Sequence, residues 1–369
     1  MEIRFYIQKS LFMRVILAKL FFIFFVILLI GYTFKSNEVM AQDAHFSQYF
    51  NSPLTTNPSL TGAVKSNFRI ETNYKEQWRS IATPFKTFAF SYEMGGFMKR
   101  VDNGFLATGI SFISDKAGKS QLGLNQINLS LAYHLRISYN SIVSAGIQGG
   151  FAQRSLSYDE LEWGNQFNGS VFDPNMPSFE PANSKGHSYA DFATGLLWTF
   201  GEGEMFSSSS KSLNFNLGVS AFHVNKPIQS IYSQSKKRLP IKLVVHGSSV
   251  IGLSINRTSL MPSFTCMMQD NFKYIMGGAM IRYDLIEKSR FTNFVKGAEL
   301  YFGCYYRYLD AFIPTVQFEI AQYGIGISYD INASKLTKIT YGRGGLEVSL
   351  HYIPVQKSII AIKTPRLFN

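Results

Sequence analysis

The sequence has few cysteines, few charges and, after its first 41 residues, no long apolar run. Two cysteines, Cys266 and Cys304, are too few for the disulfide framework of a small secreted domain. They fall on predicted strands that are not neighbours, so both are expected to be free thiols. Charged residues make up 16% of the 369 residues. Without an apolar run of about 20 residues, no helix after residue 41 is expected to span a membrane.

Sequence motifs of catalysis are missing as well. There is no HExxH, CxxC or Gly-x-Ser-x-Gly, and the glycine-rich run 342–345 precedes a predicted strand instead of a helix. The six histidines are scattered, whereas a metal site needs three or four converging ligands. We therefore expect no enzyme activity, no cofactor and no metal. The net charge is +12, but the basic residues form no dense block. This argues against nucleic acid as a binding partner and favours anionic lipid or an acidic protein surface.

Residues 1–41 have the pattern of a secretory signal peptide. Basic residues between Arg4 and Lys19 precede an apolar stretch, Leu20–Ile30, and a polar segment that ends in Ala41. The apolar stretch is shorter than the roughly 20 residues of a bilayer-spanning helix. Cleavage after Ala41 is predicted, with an uncleaved N-terminal anchor as the alternative.

The rest of the chain is rich in aromatic residues, with 33 Phe and 20 Tyr, and alternates between apolar and polar residues. From Ile127 to Tyr139, apolar residues occupy one face of an extended chain, and Asn128, Ser130 and His134 lie on the other. The same alternation recurs at 213–221, 322–331 and 346–352. A period of two places one face of a strand in an apolar medium and the other in a polar one.

This alternation predicts an all-β transmembrane antiparallel β-barrel instead of a soluble β-sandwich. The segments run roughly 9 to 14 residues, as a tilted bilayer-spanning strand requires, whereas soluble strands average about five or six. Tyr301, Tyr305, Tyr306 and Tyr308 are assigned to an interfacial aromatic girdle. About fourteen strands are predicted, at 67–75, 85–93, 104–114, 124–137, 141–154, 188–200, 211–222, 240–251, 259–268, 272–282, 295–307, 310–318, 321–331 and 344–353. Pro262 weakens the ninth, and twelve strands are the alternative if two short-turn pairs are single kinked strands.

The predicted domain organisation has four parts. They are a signal peptide (1–41), a periplasmic or luminal N-terminal segment (42–66), an outer-membrane barrel (67–353) and a basic C-terminal tail (354–369). Phe46, Tyr49, Phe50 and Leu54 predict that the N-terminal segment packs in the barrel lumen or across its periplasmic mouth. The longest connections, at 155–187, 223–239 and 332–343, follow odd-numbered strands and are expected to face outward if both barrel termini are periplasmic.

Several sequence blocks together resemble the motifs of one protein family. They are residues 42–62; Tyr74, Gln77 and Trp78; and residues 220–227, 307–311, 328–332 and 344–350. Together they resemble the PorP/SprF family of outer-membrane proteins, which is associated with the type IX secretion system and gliding motility. The resemblance extends over roughly residues 42–353.

The resemblance implies a non-enzymatic protein in the outer membrane of a Gram-negative bacterium. Its expected partners are outer-membrane lipid, the secretion machinery with its periplasmic lipoprotein ring, and a secreted surface protein, such as an adhesin, that is exported or anchored. It supplies no catalytic residues. The family-motif positions expected to pack in the barrel or to contact partners are Phe46, Tyr49, Phe50, Asn57, Pro58 and Trp78.

A porin-like channel for small solutes is the alternative function. Such a channel needs an open lumen with a charged lining. The candidate lining residues are Arg136, Lys242, Glu299, Arg307 and Glu347.

Overall fold

The computed structural model describes residues 43–64, 66–96, 103–157, 161–179, 186–201, 213–230, 238–253, 257–286, 297–335 and 337–354. The predicted signal peptide, residues 1–41, lies outside these ranges, and so does the predicted basic tail after Pro354.

Within the described ranges, fourteen antiparallel strands close into a barrel. Each strand pairs with its neighbours in sequence, and β1 pairs with β14, so that no strand edge is left open. This confirms the fourteen-stranded prediction, and the twelve-stranded alternative is wrong. The strands are β1 (Phe68–Gln77), β2 (Phe85–Met94), β3 (Gly104–Ala117), β4 (Leu122–Ser138), β5 (Ser141–Ser155), β6 (His187–Gly201), β7 (Leu213–Phe222), β8 (Lys242–Gly252), β9 (Thr258–Gln269), β10 (Phe272–Ile286), β11 (Ala298–Arg307), β12 (Ala311–Ile320), β13 (Tyr323–Asn332) and β14 (Arg343–Tyr352).

The alternation in sequence separates an outer apolar face from an inner polar face. On β4, Ile127 and Leu129 are 50% and 57% exposed, whereas Asn128 and Ser130 are buried inside the barrel. On β13 every second residue is buried in the same way. An apolar exterior with a polar interior is the arrangement that a membrane-spanning barrel requires.

The predicted aromatic girdle is half wrong. Tyr306 and Tyr308 are exposed on the outer face, but Tyr301 and Tyr305 are buried on the luminal face of β11. These two tyrosines have the same parity as Arg307, so their position along the strand, and not their aromatic character, decides which face they occupy.

One of the candidate lumen-lining residues, Arg136, does not lie inside the barrel but is exposed near the β4–β5 turn.

Pro262 lies inside β9 and does not end it. The β8–β9 ladder skips the pairs around it, with Ser248 opposite Ser263 and Ile251 opposite Leu260, because proline has no backbone N–H to donate. Both cysteines are free, as predicted: Cys266 is buried, and Cys304 is exposed on the outer face.

The two ends of the barrel differ in their connections. The longest ones join β5 to β6 (156–186) and β7 to β8 (223–241) at one end, here called the long-loop end. β1 begins and β14 ends at the opposite end, here called the terminal end. Among the residues that the structure describes, no helix is long and apolar enough to span a bilayer.

Candidate functional site: a segment inside the barrel

Residues 43–64, here called the luminal segment, lie inside the barrel and belong to the same compact unit. Asp43 contacts His223 and Lys242 at the long-loop end. Gly62 contacts Glu93, close to the terminal end. The segment therefore runs the length of the lumen before the chain enters β1.

Short helical turns shape the luminal segment. They are a 3-10 turn at Tyr49–Asn51, a single α-helical turn at Pro53–Thr56 and a second 3-10 turn at Pro58–Leu60. A proline starts each of the last two, at the position where a missing N–H costs no helical hydrogen bond. Because the turns are so short, many backbone groups remain available to bond the barrel wall.

Near the long-loop end, Ser47 and Gln48 bind a buried cluster of charges, here called the charged anchor. The Glu347 carboxylate accepts the backbone N–H groups of Ser47, at 2.7 Å, and Gln48, at 2.8 Å. The Ser47 hydroxyl donates to Asp330 at 2.8 Å and accepts from Lys75 Nζ at 3.0 Å. Lys75 also lies 3.6 Å from Asp330 and 3.7 Å from Glu347. Charge-assisted hydrogen bonds of this kind are roughly twice as strong as neutral ones.

Amide side chains and an arginine extend the charged anchor across neighbouring strands. Arg307 donates to Asp330 at 2.8 Å and to Ser47 at 3.3 Å. The Gln48 amide donates to Ser328 at 3.0 Å, and the Asn51 amide donates to the Ser349 hydroxyl at 2.9 Å. Strands β11, β13 and β14 thus all hold the same short stretch of the segment.

Midway along the lumen, Asn57 forms the centre of an uncharged contact, here called the neutral site. Its side-chain N–H2 group donates to the backbone carbonyls of Leu196, at 3.0 Å, and Val219, at 3.3 Å, and lies 3.1 Å from His246 Nε2. The Asn57 oxygen accepts the backbone N–H of Ser59 and caps the following turn. One side chain therefore joins the turn to β6, β7 and β8.

The neutral site depends on three glycines of adjacent strands. A Cβ atom at Gly195 would lie 2.0 Å from Asn57 Oδ1, and one at Gly218 would lie 2.8 Å from Asn57 Nδ2. A Cβ atom at Gly146 would lie 2.5 Å from the carbonyl carbon of Pro58. Each distance is too short for a side chain, so the turn packs directly against bare backbone.

Close to the terminal end, the segment makes two further buried contacts. His134 joins the Thr61 carbonyl to the Ser144 hydroxyl, with both distances 2.7 Å. Glu93 accepts the N–H of Gly62 at 2.9 Å while it pairs with Arg69 at 2.8 Å. The last part of the segment is thereby fixed just before β1.

At the long-loop end, Asp43 lies in a cluster of opposite charges. His223 Nε2 is 2.7 Å and Lys242 Nζ is 3.0 Å from Asp43 Oδ2, and His223 Nδ1 is 2.9 Å from Asp191. Burial alone would raise the pKa of Asp43, but Lys242 and His223 lower it well below its usual value. Burial alone would lower the pKa of His223, but Asp43 and Asp191 outweigh it, so that the pKa is raised.

The structure brings five of the six predicted family-motif positions together. Phe46 and Tyr49 are 3% and 5% exposed, and Phe50 stacks on Tyr305 with ring centroids 5.6 Å apart. The other two, Asn57 and Pro58, form the neutral site. The sixth, Trp78, lies apart in the β1–β2 connection, where its ring edge packs on Phe85 at 4.7 Å.

Sequence reasoning missed Ser47, Gln48, Lys75 and Asp330 as contact residues, although it assigned Arg307 and Glu347 to the lumen. Lys75 and Asp330 both lie on the inward parity of their strands. A charged residue on the inward face of a strand could have predicted these contacts, because a buried charge needs a partner.

The arrangement holds a peptide segment by hydrogen bonds and ion pairs. Within the described ranges, no group of three or more His, Cys, Asp or Glu side chains is arranged to hold a metal ion.

A closed antiparallel barrel with an apolar exterior and a polar lumen defines the class of outer-membrane β-barrel proteins. A family model, described as type IX secretion system membrane protein PorP/SprF, matches residues 38–352. The chain belongs to the PorP/SprF family, which confirms the resemblance seen in the sequence blocks. It is therefore a type IX secretion component of the outer membrane.

A search of curated proteins found no match. Among solved structures, the CymD monoaromatic hydrocarbon channel has 9% identity over 83% of this chain and 93% of that chain, with a TM-score of 0.43. A FadL homologue from Pseudomonas aeruginosa has 10% identity, 80% and 92% coverage and a TM-score of 0.40. BamA from Haemophilus ducreyi lacking POTRA domains 1–3 has 8% identity, 78% and 70% coverage and a TM-score of 0.38. Similarities of this size carry no functional argument.

Proposed function

We propose that this protein is a non-enzymatic anchor of the type IX secretion system that assists the export or cell-surface attachment of a secreted protein such as an adhesin. The barrel is embedded in outer-membrane lipid. Its long loops face the exported cargo, because outer-membrane barrels place long loops outside the cell. Its terminal end faces the periplasmic machinery with the lipoprotein ring.

The observation that carries this proposal is the occupied lumen. Glu347 binds two consecutive backbone N–H groups of the luminal segment, and Asn57 binds the opposite wall. A solute channel needs an open aqueous path. A segment fixed along the whole lumen supports an anchor instead of the alternative, a porin-like channel.

The long β5–β6 connection supports a contact with a protein partner. Phe167 and Phe172 face each other across a small antiparallel bridge. Phe167, Val171 and Phe179 are 55%, 61% and 81% exposed. Exposed apolar side chains grouped on a structured loop are typical of interaction sites.

Deletion of the gene tests the anchor function. We expect cells without this chain to lose at least one type IX cargo from their surface, and the intact gene to restore it. A barrel with Phe167→Ser, Val171→Ser and Phe179→Ser should assemble normally but display less cargo. Full display of every cargo by the deletion strain would contradict the proposal.

Conductance in planar bilayers distinguishes the anchor from a porin. We expect the purified barrel to remain silent. A steady large conductance would favour a channel for small solutes.

A further inference from the structure

Two sequence blocks with family character meet in space at the long-loop end. Asp43 belongs to the N-terminal block, and His223 belongs to the block at residues 220–227, 180 positions further along the chain. His223 directly follows β7 and takes no part in closing the barrel. The contact therefore needs an explanation that the fold of the barrel does not provide.

The geometry around His223 fixes its protonation. A carboxyl group lies at each ring nitrogen, Asp191 at Nδ1 (2.9 Å) and Asp43 at Nε2 (2.7 Å). Carboxylates only accept hydrogen bonds, so both ring nitrogens must donate, and the ring is an imidazolium. With Lys242 beside Asp43, two positive and two negative groups form a buried cluster without net charge.

The first residues of the β7–β8 loop, 223–226, are strained and partly exposed. His223 has φ 58° and Lys226 has φ 44°, in a region that side-chain-bearing residues rarely adopt. The Asn225 side chain accepts the N–H of Phe192 at 3.3 Å and donates to the carbonyl of Ala190 at 2.7 Å, which ties the loop to β6. The side chain of Val224, the second residue after β7, is exposed. Such strain persists only where the surrounding contacts hold it in place.

We propose that Asp43, Asp191, His223 and Lys242 form a latch that holds the outer end of the luminal segment over the charged anchor and releases it when residues 223–226, at the start of the β7–β8 loop, are displaced. The latch fixes residues 43–46, which precede the anchor at Ser47. It closes the mouth of the lumen that faces the cell surface. The latch concerns the barrel alone and does not depend on the identity or presence of a cargo.

Thiol labelling on intact cells tests the latch. The probe is Ala44→Cys in a barrel with Cys266→Ser and Cys304→Ser, treated with a membrane-impermeant maleimide. Asp43→Asn and His223→Asn should each raise the labelling rate by roughly tenfold or more, as expected when a charge-assisted hydrogen bond is lost. Asn is chosen at position 223 because it tolerates positive φ. Asp43→Glu keeps the charge and should label nearly as slowly as the parent.

Two controls make the outcome decisive. Arg79→Gln removes an exposed ion pair with Glu76 at the same end and should leave the rate unchanged. A Val224→Cys barrel should label on intact cells, and at one rate in the parent, Asp43→Asn and Asp43→Glu backgrounds. Unchanged rates in both latch variants would overturn the proposal, and so would labelling of Val224→Cys only after permeabilisation. If either latch variant fails to reach the membrane, Lys242→Gln provides the same test from the other side of Asp43. The assay needs no cargo, so its failure is separate from a failure of the anchor function.

Discussion

The charged anchor and the neutral site hold the same segment by different physical means. Around Ser47, four strands (β1, β11, β13 and β14) supply carboxylates, an ammonium and a guanidinium, all buried. Around Asn57, three strands supply backbone carbonyls and bare glycines. The charged anchor therefore holds the luminal segment through charge, and the neutral site holds it through a close steric fit.

The difference shows how a polar lumen can be occupied without an apolar core. Burying charges costs free energy unless each charge is paired, so the charged anchor is stable only when Ser47 and Gln48 occupy this one position. A turn packed on glycines fixes its position through close contact instead. Together the two sites determine both the position and the orientation of the segment.

The largest expected effect comes from removing one charge of the anchor. Glu347→Ala should lower the free energy of unfolding by about 3–5 kcal/mol, because it removes one of the two carboxylates paired with the buried Lys75 and leaves two backbone N–H groups buried without their acceptor. Denaturant titration of the purified barrel in lipid measures it. Glu76→Ala removes a partner of the exposed Arg79 and should change stability by less than about 1 kcal/mol. Equal losses in the two variants would argue against the anchor.

A bulky residue in the neutral site should have the next largest effect. Gly195→Val places a side chain where Asn57 lies and should cost about 1–3 kcal/mol through overpacking. Gly164→Ala is the matched control, because a Cβ there meets nothing within 4 Å. Thermal unfolding compares them, and a Gly195→Val barrel as stable as the control would show that shape does not select at this site.

A double variant sharpens the contrast between charge and shape. Asn57→Ala alone should cost about 1–3 kcal/mol through lost hydrogen bonds. Combined with Gly195→Val, it also removes the clash, so the double variant should be more stable than the sum of the two losses predicts, by about 0.5–3 kcal/mol. If the stability losses of the two single variants simply add in the double variant, Asn57 and Gly195 are not in contact.

The smallest expected effect is that of pH on the latch. His223 has a raised pKa, so its contribution is complete below its ordinary value near 6.5 and disappears as the pH rises through the raised value. Asp43 has a lowered pKa and contributes until the pH falls through that lowered value. The groups facing His223 are Asp43, Asp191 and Lys242. Labelling of Ala44→Cys, normalised to Val224→Cys, should be slowest in mild acid, between the ordinary pKa values of Asp43 (3.8) and His223 (6.5), and faster in alkali; a rate that falls in alkali would contradict this assignment.

Most of the barrel was predictable from the sequence, because a two-residue period is a local property. The alternation around Ile127 and Ile325 identified strands, faces and the strand number. Tyr301 and Tyr305 were assigned to the wrong face because their aromatic character was given more weight than their parity. The contact between Ser47 and Glu347 could not be predicted, since 300 residues separate the two in the chain. Only barrel closure brings β14 beside β1, and so Glu347 next to the luminal segment.

The sequence by itself determined that this chain crosses a membrane with strands, which face of each strand meets lipid, and that a polar and aromatic segment precedes the first strand. The tertiary structure decided the path of that segment, the pairing of Asp43 with His223 and the fit of Asn57 against three glycines. The physical reason is the sequence separation of the interacting residues. Alternation records the medium on either side of each residue, whereas the luminal contacts join residues that become neighbours only when the sheet closes.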